Sequence, residues 1–133
     1  MPSESRHPPG ADSALEPTER RPWGCFYVVD SGPSFQIKRI VVHPGGQLSL
    51  QSHRHRSEHW TVVEGTATVT VGSEVREMRR GESTDIPLGK RHRLQNFGST
   101  DVVVAEVQFG HYLGEDDIIR HDDLYARTDR AVE

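Results

Sequence analysis

An all-β sandwich or barrel in a single domain is the fold this sequence predicts, and two observations predict it. Runs of about five to eight residues rich in Val, Ile, Thr and aromatics recur along the chain, and each ends at a cluster of Gly, Pro, Asn or Asp. No segment of helical length carries an apolar period near 3.6 until the C-terminal end, where short helical turns are expected. The 133 residues suffice for one ordinary core, and a lone cysteine, Cys25, precludes an internal disulfide.

Residues 1–20 hold four of the eight prolines, scattered charge and almost no apolar side chains. That composition buries too little surface to offset its ordering entropy, so a flexible arm is expected there. The folded domain is expected over 21–127, with a tail at 128–133. Arg21-Pro22-Trp23-Gly24 opens it, with Trp23 packing at the domain edge. Residues 25–29 read as a strand in which Cys25 is half-buried, and the strand stops at Asp30-Ser31-Gly32-Pro33-Ser34. In the next strand, 35–42, Phe35, Ile37 and Val41 share one face and Gln36 and Lys38 the other, so Lys38 is expected to point inward.

After the turn Pro44-Gly45-Gly46, Leu48 and Leu50 alternate with Ser49, Gln51, His53 and His55. One strand running to residue 55 would line up the four polar groups opposite the leucines, on a surface that is either a site or water-facing. Strands are expected at 60–64, 67–71 and 75–78, punctuated by Gly65 and by the hairpin pair Gly72-Ser73. Strands at 83–86, 91–96 and 102–109 complete the series. In the last of these Glu106 and Gln108 alternate with Val103, Ala105, Val107 and Phe109, so Glu106 either faces a polar cavity or is buried at high cost. The stretch 114–127 supports short helical turns at most, its acids forming mainly a solvated face.

A net charge of -4 gives no reason to expect nucleic acid or an anionic membrane as partner, and a small molecule is the expected ligand. No apolar run approaches the length of a spanning helix, and the N-terminus lacks the charged-then-apolar order of a secretory signal, so a cytoplasmic location is expected.

The chemistry concentrates in Gln51, His53, His55, Glu58, His59 and His92. A strand presents every second residue to one side, so Gln-x-His or His-x-His places two donors on one ion. A carboxylate past the turn and a His on a neighbouring strand close the set, which predicts a divalent metal site.

The pattern resembles the cupins. Gly45, Gln51, His53, Glu58 and Gly65 fit the first cupin signature, Gly-x5-His-x-His-x4-Glu-x6-Gly, with Gln51 in place of the first His. Gly81, Pro87, Gly89, His92 and Asn96 fit the second, Gly-x5-Pro-x-Gly-x2-His-x3-Asn, without a gap. The resemblance implies a double-stranded β-helix, or jelly-roll barrel. More closely, the stretches RPWG, PGGQLSLQSHRHRSEHWTVVEGTA, IPLGKRHRLQN, EVQFGHYLGEDDI and Tyr125-Ala126-Arg127 resemble the C-terminal isomerase domain of bifunctional mannose-1-phosphate guanylyltransferase/mannose-6-phosphate isomerase. Ala126 stands where that family usually has Gly.

The resemblance implies a metal-dependent aldose–ketose isomerase that interconverts mannose 6-phosphate and fructose 6-phosphate. The signature spacing favours Gln51, His53, Glu58 and His92 as ligands. The alternative register makes His55 a ligand and leaves Gln51 spare. The set is similar to the Gln, His, Glu and His that hold zinc in type I phosphomannose isomerases, so Zn is the first expectation, with Mn, Fe, Co and Ni compatible. His55 and Glu106 are the candidate bases, and Lys38 and Arg56 the cations expected at the reacting atoms. Ser49, Lys90, Arg93 and Arg120 are the substrate-binding candidates, with the cations expected to hold the phosphate. Two rival readings are another metal-dependent cupin enzyme, an oxygenase or a different sugar-phosphate isomerase, and a non-catalytic sugar-binding module. A homodimer is expected from the edge strands of such a barrel.

Overall fold

The structure, a computed structural model, describes residues 16–122, and in that span the chain is built of strands and turns without a helix. The strands are β1 (Glu19–Arg21), β2 (Gly24–Gly32), β3 (Phe35–Val42), β4 (Leu50–Ser52), β5 (Ser57–Glu64) and β6 (Thr66–Val71). They continue as β7 (Glu74–Arg79), β8 (Ser83–Ile86), β9 (His92–Gln95), β10 (Val102–Phe109) and β11 (Ile119–Asp122). Two antiparallel sheets form, a six-stranded one in the order β1-β2-β3-β10-β5-β8 and a five-stranded one in the order β11-β4-β9-β6-β7. This is the jelly-roll arrangement of a cupin. Among the described residues no helix is long and apolar enough to cross a membrane.

The inward faces explain where the site lies. Along β3 the inward residues run Lys38, Ile40, Val42; along β10 they run Gln108, Glu106, Val104, Val102; along β5 they run Glu58, Trp60, Val62. Register pairs Glu106 with both Lys38 and Trp60, and Gln108 with both Gln36 and Glu58. Each strand therefore changes from apolar to polar partway along the same barrel face. One end is a core of Val62, Val69, Met78, Ile86, Leu94 and Val104, where each fully buried large side chain contributes about 1.5–3 kcal/mol. The other end is lined with ionisable groups.

The second signature's last residue has a structural task. Asn96 Nδ2 donates to the carbonyls of Val42 and Thr100, both at 2.8 Å, and its Oδ1 accepts from Gly98 N–H at 2.9 Å. Gly45 N–H donates to Asn96 C=O at 2.9 Å, which fastens the Pro44-Gly45-Gly46 turn to the end of β9.

Several expectations are corrected. Ordered strand begins at Glu19, ahead of residue 21, because 19–21 pair along β2. Trp23, expected at the edge, is 5% exposed in the core, and Cys25 is buried rather than half-buried. The C-terminal helical turns do not form over 114–122. Ile119 and Arg120 instead pair with Ser52 and Gln51, where backbone groups of β4 would otherwise lack a partner on that side. The single strand expected over 48–55 is cut to Leu50–Ser52, since the N–H groups of Arg54 and His55 donate to the Asp117 carboxylate, each at 2.9 Å, and not to a neighbouring strand. Residues 1–15 of the expected arm, the domain end at 127 and the tail 128–133 lie outside the described residues.

Candidate metal centre

Three buried side chains, His53, Glu58 and His92, bring ligand-type atoms within 4.8 Å of one another at the polar end of the barrel. Glu58 projects inward from β5. His92 opens β9, directly across from Gln51 of β4, and His53 follows β4 at the point where the strand ends. The site thus joins both sheets.

Backbone carbonyls fix both imidazoles. His53 Nδ1 lies 2.6 Å from the Asp117 carbonyl and His92 Nδ1 lies 3.0 Å from the Lys90 carbonyl. A carbonyl only accepts, so both Nδ1 atoms carry the proton and both Nε2 atoms present a lone pair. Those Nε2 atoms point at Glu58, 3.3 Å from Oε2 for His53 and 3.9 Å from Oε1 for His92. Gly89, at φ +78, donates its N–H to His53 C=O at 2.9 Å, so a turn that favours glycine ties the second signature to the ligand loop. Two oriented neutral imidazoles and a carboxylate, each held from behind by a hydrogen bond, fit a divalent cation. Gln51 lines the same cavity, its Nε2 3.3 Å from the carbonyl and hydroxyl oxygens of Ser49.

Burial, with the charge of Arg56 and the nearby His92, pushes His53 down to about 3, and burial likewise lowers His92. Both rings are therefore neutral at pH 7. The linkage has a definite sign. The unfolded chain takes up the His53 proton near pH 6.5 and the folded one only near 3, so the unfolded state binds more protons in between. The stability that follows is complete above pH 6.5 and is lost as pH falls from there towards 3. Thermal melts of the metal-free chain from pH 7 to pH 4 are expected to show a falling Tm, with a shallower fall in His53→Gln.

Charges surround the three ligand-type side chains. Arg56 Nε donates to Glu58 Oε2 at 2.8 Å, its Nη2 lies 3.2 Å from His53 Nε2, and Trp60 Nε1 donates to Glu58 Oε1 at 2.9 Å. Burial works against the Arg56 charge, but Glu58, Glu106 and Glu115 outweigh it and raise its pKa. Glu106, 4% exposed, is pushed up to about 8 by burial first, then by the charge of Glu58 and a hydrogen bond with it, against Lys38 and Arg56. Lys38 is buried, its Nζ donating to Glu115 Oε2 at 2.6 Å and lying 4.2 Å above the centre of the Phe26 ring.

Ten of the thirteen residues singled out from the sequence border this one cavity: Lys38, Ser49, Gln51, His53, Arg56 and Glu58, with His92, Arg93, Glu106 and Arg120, although Arg93 alternates with the inward His92 and pairs with Thr70, which puts its side chain on the outer face of the sheet. The other three are elsewhere. His55 is exposed on the outer side of the loop, edge-on to Tyr112 at 5.8 Å, because the strand that would have aimed it inward ends at Ser52. Lys90 is exposed beside Gly72, and only its carbonyl serves the site, by holding His92. His59 also faces outward, 2.6 Å from Asp85. Sequence reasoning missed Asp117, whose carbonyl holds His53 while its carboxylate holds the following loop, and Glu115, which pairs with Lys38. Both sit in an acidic run that reads as a solvated face. Their signal was the apolar pair Ile118-Ile119 immediately after, which anchors the run against the barrel mouth.

Residues 12–123 match the family described as Mannose-6-phosphate isomerase C-terminal. The chain is 56% identical over 108 residues to Xanthan biosynthesis protein XanB of Xanthomonas campestris pv. campestris strain B100, covering 81% of this chain and 23% of that protein. It is 50% identical over 108 residues to Mannose-1-phosphate guanylyltransferase ManC of Salmonella typhimurium, covering 81% and 22%. The chain thus spans about a quarter of the length of these curated relatives. Among solved structures, the Schizosaccharomyces pombe Cnp3 cupin domain superposes with a TM-score of 0.62 at 18% identity, over 65% of this chain and 64% of that one.

Proposed function

The chain belongs to the mannose-6-phosphate isomerase C-terminal family, and from that premise we propose that it is a divalent-metal-dependent isomerase interconverting mannose 6-phosphate and fructose 6-phosphate. The observation that carries this reading is the sharing of one cavity by three ligand-type side chains, a buried carboxyl poised near neutral pH and several cations.

Gln51, His53, Glu58 and His92 would hold the ion, a set of two oxygen and two nitrogen donors suited first to Zn and also to Mn, Fe, Co or Ni. When bound, the ion supplies Lewis-acid polarisation of the substrate carbonyl and its neighbouring hydroxyl. Glu106 moves the proton between C2 and C1. A carboxyl whose pKa is raised to about 8 can both release and take back a proton near neutrality. With His55 outside the cavity, Glu106 is the base this reading retains. Arg56, held rigid by Glu58, stabilises negative charge that develops on the reacting oxygens. Arg120 offers a planar fork for the phosphate and Lys38 a point charge, while the buried Ser49 hydroxyl is a partner for a sugar oxygen.

The test is an isomerase assay on the full 133-residue chain, stripped of metal and reloaded with each divalent ion in turn. Conversion of mannose 6-phosphate with at least one ion, and none in the stripped chain, is expected. Absence of conversion with every ion, for this and related aldose phosphates, defeats the reading.

A further inference from the structure

An ammonium inside a barrel needs a counter-charge, because taking a lone charge out of water is costly. Lys38, 5% exposed, has two supports, the Phe26 ring with its centre 4.2 Å from Nζ and the Glu115 carboxylate at 2.6 Å. The two ends of that ion pair are unlike. Lys38 is fixed on β3, whereas Glu115 is 53% exposed and belongs to the turns between β10 and β11. Its carboxylate reaches from the surface into the cavity that it helps to line.

The loop that carries Glu115 is pinned at its ends. Gly110 lies so close to the His55 carbonyl that a Cβ there would collide with it, and its N–H donates to Ser34 C=O at 3.0 Å. At the other end Asp117 Oδ2 accepts from His55 N–H at 2.9 Å. Residues 111–116 thus leave and return beside one residue, the form of a compact Ω-loop. Tyr112 O–H donates to Asp116 within the loop, and of residues 111–116 it is Glu115 that lines the cavity.

The cavity itself holds about 80 Å³, below the roughly 300–1,000 Å³ of pockets that seat small organic ligands. Part of its mouth must move aside for a hexose phosphate. A half-exposed loop tied to the barrel by an ion pair is suited to do so.

We propose that Glu115 determines specificity for phosphorylated sugars, by occupying Lys38 until a phosphate takes its place. This rests on the reading of the cavity as a sugar-phosphate site. A phosphate monoester brings about two negative charges and three terminal oxygens, against the single charge of the carboxylate. It displaces Glu115 from Lys38 and meets Arg120 and Arg21, which line the same cavity, the Arg21 guanidinium lying 5.9 Å from the centre of the Phe26 ring that supports Lys38. A neutral sugar hydroxyl cannot displace a carboxylate from an ammonium. The competing carboxylate therefore costs every ligand something and only a phosphorylated one recovers it, which is discrimination against the wrong partner.

Isothermal titration calorimetry on the full chain loaded with zinc tests this, with mannitol 6-phosphate, which has no carbonyl to isomerise, and mannitol as probes. Glu115→Gln is expected to bind mannitol 6-phosphate at least tenfold more tightly than wild type, while mannitol binds both chains equally weakly. Glu115→Ala, which leaves Lys38 no acceptor at that position, should tighten the phosphate at least as much and guards against an amide that still holds the ammonium. Unchanged or weaker binding of mannitol 6-phosphate in both variants overturns the proposal, as does its failure to bind any of the three chains. Equal tightening of mannitol overturns it too, since Glu115 would then control entry without regard to phosphate. Tightening without isomerase turnover would defeat the isomerase reading alone, and turnover without tightening would defeat the role of Glu115 alone.

Discussion

Glu58→Ala is expected to empty the metal site and to cost about 3–5 kcal/mol of stability, the range for removing one partner of a buried ion pair. Three neighbours depend on this carboxylate, whose side chain is 1% exposed: Arg56 Nε and Trp60 Nε1 donate to it, and His53 Nε2 faces it. Its loss leaves the buried Arg56 cation without its ion-pair partner, facing the neutral imidazoles of His53 and His92. A drop in Tm of roughly 10 °C or more should follow for a domain of this size. Glu58→Gln separates the two roles, because an amide oxygen still accepts from Arg56 or Trp60 but binds a divalent ion far less well than a carboxylate. Metal analysis and thermal melts of both variants check this. Intact metal content in Glu58→Ala would remove Glu58 from the ligand set.

Arg56→Lys is expected to lower kcat about 100-fold or more with metal content unchanged, a loss of the size seen when a donor to developing negative charge is removed. The substitution keeps the charge but loses the planar fork that lets Nε hold Glu58 while Nη2 reaches towards His53. A lysine ammonium can serve one of those points at a time. If turnover falls together with metal content, Arg56 acts through the ligands and not on substrate. Wild-type kinetics in the variant would show it to be only a buried counter-charge to Glu58.

The strands were legible because their signals are local. The alternation over β3 and β10 and the Gly-containing turns at Gly65 and Gly72 specify elements without help from distant residues, and Glu106 stood out because a carboxyl interrupts an apolar strand. The failures at His55 and Glu115 share one cause, long-range pairing that overrides a local pattern. His55 continues a period-2 run on paper, but Asp117, some sixty residues away, takes the N–H groups of Arg54 and His55 and turns the chain before His55 can follow His53 inward. The acidic stretch around Glu115 looks solvated, and only β11 pairing with β4 carries it to the mouth of the site. Lys90 differs, since spacing placed it near His92 while the local Pro87–Gly89 turn leaves its ammonium beside Gly72 and only its carbonyl at the site.

The placement of the ion is tested most directly by metal analysis of Gln51→Ala, His53→Ala and His55→Ala after identical reconstitution. Losing one of four ligands should weaken binding by orders of magnitude, beyond the roughly 10–100-fold of a supporting residue. Gln51→Ala and His53→Ala are expected to lose most of their metal, while His55→Ala, altered on the outer side of the loop, keeps it. Full occupancy in Gln51→Ala together with an empty site in His55→Ala would contradict the arrangement.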